Sequence, residues 1–177
     1  NMLGDLQNNV IFSILLVMSV VIIFLGIRSS LLVGLAVPGS FLSAILVLYT
    51  LGFTVNMVVL FGLILSVGLL VDGAVVVVEY AQRKVQEGMG LADAYIKAAS
   101  RMSLPIIAST LTTIAVFVPL LFWPGTTGGF MKYIPITVIS VLSSSLVMAL
   151  IVVPIIGTQS YKIRNLFFFF FIPIVLF

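Results

Sequence analysis

A chain of 177 residues that is 62% hydrophobic and 7% charged, with a mean hydropathy of +1.38, is far more apolar than soluble domains, where about half the residues are apolar and about a quarter charged. A water-soluble fold is excluded, and the chain reads as an integral membrane protein. The net charge of +3 does not point to nucleic acid, because the basic residues form no stripe with interleaved aromatics, and the absence of cysteine and histidine removes disulfides, thiolate chemistry, imidazole catalysis and the usual zinc sites.

In chain order, hydropathy predicts five membrane spans, at about 10–27, 31–51, 57–78, 104–123 and 134–157. Helices are expected, since only helices and closed barrels satisfy every backbone group in lipid. Barrel strands would alternate polar with apolar residues, and runs such as ILLVMSVVIIF do not. Residues 26–30 and 51–56 are too few for anything but tight hairpins, so the spans they join are antiparallel neighbours. Residues 1–9 precede the bundle, which occupies 10–157, and the opening on Asn1 rather than Met suggests a piece of a larger protein.

Alternating the spans puts Arg28, Arg83, Lys84, Lys97, Arg101, Lys162 and Arg164 on one side of the membrane and Lys132 alone on the other. The first side is then cytoplasmic. Trp123 and Tyr133 flank the external loop WPGTTGGFMKY, as in an interfacial aromatic belt. Residues 79–103 form a polar cytoplasmic connector, broken by Gly88 and Gly90. Its second part has Leu91, Ala94, Tyr95, Ala98 and Met102 on one helical face, which predicts a short amphipathic helix lying at the membrane surface. Ser103 before Leu104 and Pro105 is then expected to cap the next span. Residues 158–177 read as a cytoplasmic or interfacial tail, whose apolar run 166–177 is too short to span.

The third span, MVVLFGLILSVGLLVDGAVVVV, holds one ionisable group, Asp72. A carboxylate at that depth costs roughly 2.5 to 3.5 kcal/mol on insertion scales, so it ordinarily faces a protein interior or a watery path. Asp72 therefore reads as a proton or ion site, with a hydrogen-bonded carboxylate that only helps packing as the alternative. At 100° per residue, Gly62, Ser66 and Gly73 share a stripe that admits another helix backbone, and Gly68 and Asp72 lie on an adjoining face. On this reading Asp72 sits beside a close helix contact, screened from lipid. Glu79 comes seven residues later, about 10 Å further along the helix and near the cytoplasmic boundary, where it can reach water, and a solvated helix-end charge is the simpler reading.

Hydroxyls gather on the last two spans. Thr112 and Thr113 on one, with Ser140 and Ser144 on the other, are candidates for a polar path, and ordinary helix packing is the competing reading. An intramembrane aspartyl protease needs two membrane carboxylates, and the spans supply Asp72 alone.

The stretch VGLLVDGAVVVVEY, preceded by FTVNMVVLFGLIL and followed by PIIASTLTTIAVFVPLLFWPGTTGGFMKYIPITVIS, resembles the resistance-nodulation-division (RND) efflux pumps, the proton-driven exporters of drugs and other hydrophobic compounds in Gram-negative inner membranes. The likeness runs from about residue 10 to residue 157. It implies an all-α membrane protein whose spans are helices two to six of a twelve-helix transporter, with residues 1–9 ending a periplasmic domain. It further implies a secondary active transporter rather than an enzyme, with no cofactor beyond the proton as coupling ion. Implied partners are membrane lipid, a second membrane half carrying a cationic residue, two further copies in a homotrimer, a periplasmic adaptor and an outer-membrane channel.

By the same resemblance Asp72 is the proton-relay residue. Many members carry a second Asp directly after it, where this chain has Gly73. Two alternatives keep the same superfamily or the same bundle: a secretion-accessory or lipid-exporting relative, and a membrane fragment with only a structural role.

Overall fold

A computed structural model of the chain describes residues 2–54 and 56–159, all in helices or the turns between them. The apolar tail 166–177, Lys162 and Arg164 lie outside the described residues. Helix α1 (Met2–Thr50) is two arms joined at Gly26, whose φ of 77° and ψ of 167° leave helical space. Only glycine adopts that backbone without strain. A Cβ placed on Gly34 would run into the side chain of Met18. Gly34 and Met18 are equally far in sequence from Gly26, so the arms fold back on one another as the expected hairpin.

The second arm ends at Gly52, with a φ of 76°. Phe53 N donates to Leu48 O and Gly52 N to Tyr49 O, both at 3.0 Å, the bond pair of a Schellman cap. Asn56 then opens helix α2 (Met57–Gln86), its Oδ1 accepting from Val58 N at 3.0 Å and Val59 N at 2.9 Å. Helix α2 closes the same way at Gly88, where Gly88 N donates to Val85 O and Met89 N to Lys84 O. Beside this turn Lys84 Nζ donates to Glu87 Oε2 at 2.5 Å, and that bond holds the Glu87 carboxyl below its ordinary range.

Helix α3 (Leu91–Leu121) departs from expectation. No separate surface helix and no cap at Ser103 occur among the described residues: the helix runs through Pro105, and Ser103 Oγ donates to Ser100 O at 2.9 Å instead of accepting from a backbone N–H. The polar stretch before it also shrinks, because α2 continues to Gln86. The apolar face of 91–102 is used for packing, with Ala94, Tyr95 and Ala98 buried. Tyr95 lies so close to Gly157 that a Cβ there would meet the ring at 2.5 Å.

A short helix α4 (Gly125–Met131) leads into α5 (Tyr133–Val147), a π-helical turn (Met148–Val152) and α6 (Val153–Gln159). The π turn has a covalent cause. Pro154 has no N–H to give the preceding turn, and Val153 N donates five residues back, to Met148 O. The Phe53 and Tyr133 rings meet edge to face, 5.4 Å apart, tying the α1–α2 turn to the start of α5 at one end of the bundle.

Among the described residues four helices are long and apolar enough to cross a membrane: Ser30–Thr50, Met57–Gln86, Leu91–Leu121 and Gly128–Gln159. The first arm carries a further apolar helix, Ile11–Ile23. Helix α2 is central, with Val59, Leu63, Val67, Leu70, Ala74, Val77 and Val78 buried, whereas α3 runs along the edge with little of its length covered.

Candidate functional site

The small-residue stripe of α2 meets the last span. A Cβ on Gly62 would lie 3.0 Å from Thr137 Cβ, and one on Gly73 would lie 3.3 Å from both Ala149 Cβ in the π turn and Ile106 Cγ2 of α3. Ser66, between them, is fully buried and donates to Gly62 O at 2.7 Å. Close approach at Gly62 and Gly73 follows from their missing side chains, since any Cβ would push the neighbouring helix outward.

Asp72 and Gly68 face elsewhere. Asp72 is exposed on the surface of the bundle rather than screened by a helix contact, and nothing described lies within 4 Å of a Cβ built on Gly68, so Gly68 packs against no neighbour there. The cause is rotational: the stripe takes up the side of α2 that meets α5, and a face 100° to 140° away is turned outward. Phe61, Leu65, Gly68 and Asp72 follow one another along that outward face, all of them exposed.

Beside Asp72 an open groove of about 620 Å³ separates α2 from the first arm of α1. Val20 and Val21 form its wall on the arm, opposite Val71, Asp72 and Val75. Toward the C-terminal end of α2 the lining becomes polar, with Glu79, Gln82, Arg83 and Gln86. Glu79 Oε1 and Arg83 Nη2 are 3.9 Å apart with both side chains mostly exposed, a loose pair of the kind that contributes little to stability. The helical repeat in the sequence, at steps of three and four from Asp72, carries this polar line. Its valine wall comes from a helix some fifty residues away, and local periodicity does not show it.

The hydroxyls do not join the groove. Thr112 Oγ1 donates to Ala108 O at 2.8 Å and Thr113 Oγ1 to Ser109 O at 3.0 Å. Ser140 Oγ donates to Ile136 O at 2.8 Å. Thr112 is exposed on α3, while Ser140 and Ser144 are buried on α5, so the structure does not gather the four into one line. Among the described residues no three Asp or Glu side chains come together in a way that would hold a metal ion.

Long apolar helices, the central one carrying Asp72 inside its apolar run, define a multi-pass membrane protein with a membrane carboxylate. A family model, the AcrB/AcrD/AcrF family, matches residues 2–165, and the chain belongs to that family. It is 34% identical over 144 residues to the multidrug export protein AcrF of Escherichia coli, covering 80% of this chain and 14% of AcrF. To the toluene efflux pump membrane transporter TtgE of Pseudomonas putida it is 32% identical over 154 residues, covering 86% of this chain and 15% of TtgE. To the multidrug resistance protein MdtC of Salmonella arizonae it is 31% identical over 153 residues, covering 86% of this chain and 15% of MdtC. The chain thus spans about one-seventh of the length of the curated relatives it matches.

Proposed function

We propose that this chain supplies the proton-handling helices of an inner-membrane efflux transporter, in which gain and loss of a proton at Asp72 drives export of hydrophobic or amphiphilic compounds. The observation that carries this reading is the setting of Asp72: the acid of a membrane-spanning helix, exposed on an open face and lining a groove that turns polar toward one end. Desolvation favours the neutral acid and a nearby cation favours the carboxylate, so a movable cation opposite such an acid converts protonation into helix movement. The face that runs through Phe61, Leu65, Gly68 and Asp72 is the surface on which a second membrane half carrying that cation would pack. The names of AcrF and TtgE, a multidrug exporter and a toluene efflux pump, support the efflux reading. Trimeric assembly with a periplasmic adaptor and an outer-membrane channel belongs to the same proposal.

The relay is a single carboxylate in this reading. Position 73 is closed by Ala149 and Ile106, and a second acid there would have to displace them. Export by the complete transporter carrying Asp72→Asn is expected to lose its dependence on the proton gradient and fall to background. Export that persists with normal gradient dependence overturns the proposal.

A further inference from the structure

We infer that Glu79 is a second proton carrier, reached from Asp72 through water in the groove between α2 and the first arm of α1, and that Val20, Val21, Val71 and Val75 form an apolar neck which that water must cross. The inference rests on Asp72 as the relay residue. It adds a route, a direction and a barrier.

Distance requires an intermediary. Asp72 and Glu79 are seven residues apart on one face, about 10 Å along the helix axis, several times the length of a hydrogen bond. A proton passing between them needs a chain of about three waters. The groove has the room, since its 620 Å³ far exceeds the roughly 30 Å³ that one water occupies in the liquid. Room alone is insufficient, because a water held in a protein needs two to four polar partners. The Glu79 end supplies them, with one carboxylate, the amide of Gln86 and the guanidinium of Arg83. Around Asp72 the lining among the described residues is valine, with the carboxylate as the polar side chain there.

The two ends therefore differ in how they hold water. The mouth at Glu79 stays wet, while a constriction of valines admits or expels water as its width changes, the dewetting gate found in channels. The width is set by the first arm, which supplies Val20 and Val21 and hinges on Gly26. Movement of that arm opens or closes the route without moving either acid. Among the described residues, Asp72, Glu79 and Arg83 are the charged groups that line the groove, and the facing arm contributes valine. The contact with Arg83 is loose and the Glu79 carboxylate mostly exposed, so bulk water reaches its oxygens. The proton leaves the Asp72 carboxyl, passes along the water chain and binds a Glu79 carboxylate oxygen, so charge and protons balance with no further reactant.

The chain has no cysteine, so single cysteines report accessibility directly. In the chain reconstituted in lipid vesicles, a membrane-impermeant charged thiol reagent is added from the Lys/Arg-rich side to Gln82→Cys, Val75→Cys and Leu111→Cys, the last an exposed position on the edge helix α3. Expected is rapid labelling at 82, slower but clear labelling at 75, and none at 111. A position 75 as inert as 111 shows a dry or filled groove and overturns the route. In a second measurement, the infrared carbonyl band of protonated Asp72, assigned by its loss in Asp72→Asn, is followed after a pH jump. Glu79→Gln is expected to slow its decay about a hundredfold, the low end of what a positioned acid–base group contributes, and Glu79→Asp to restore it. An unchanged rate in Glu79→Gln overturns the inference while leaving Asp72 as the relay. An Asp72 that never titrates overturns both.

Discussion

Two neighbouring residues, Asp72 and Gly73, divide the work of the central helix. A rotation of 100° separates them, and it is enough to send one into the open groove and the other into a close helix contact beside it. Gly73→Asp is accordingly expected to act as overpacking rather than as a second relay acid. Its Cβ would start 3.3 Å from Ala149 and Ile106, and forcing extra atoms into a packed seam typically costs about 1 to 3 kcal/mol. Denaturant unfolding of the chain in detergent micelles should show that loss, and Gly73→Ala should show a smaller one. Equal stability of Gly73→Asp and the parent chain would mean that the seam opens freely.

Among the elements, the turn at 51–56 shows how local chemistry sets a boundary that hydropathy only approximates. Asn56→Ala removes the acceptor for two backbone N–H groups and is expected to cost about 1 kcal/mol, with most of it recovered in Asn56→Asp; unfolding in micelles measures both. The spans at 31–51, 57–78, 104–123 and 134–157 are legible in the sequence because long apolar runs have few other uses. The start of α3 is not. Ser103 and Pro105 have the composition of a helix start, yet the buried face of Ala94, Tyr95 and Ala98 binds 91–102 to the bundle and carries the helix straight through the proline. The π turn is equally hidden, since Pro154 announces a disturbed helix but not which bond pattern resolves it. Asp72 stands out in the sequence by its isolation. Its groove does not, because Val20 and Val21 are ordinary span residues until the hairpin at Gly26 brings them opposite α2.

At the scale of the whole molecule, the bundle has two chemically different ends. The Phe53–Tyr133 contact marks one, and the turn of Lys84, Glu87 and Gly88 marks the other. Thr54→Cys and Gln86→Cys, both exposed in the parent chain, are expected to label from opposite sides of an oriented membrane, with 86 on the cytoplasmic side as the excess of Lys and Arg requires. Labelling of both from one side would contradict the alternation of spans. The joint between the two arms of α1 rests on one residue. Gly26 sits at a φ of 77° and a ψ of 167°, backbone that a residue bearing a Cβ enters only at a cost of about 1 to 3 kcal/mol, so the seating of Val20 and Val21 opposite the membrane acid depends on a side chain that is not there.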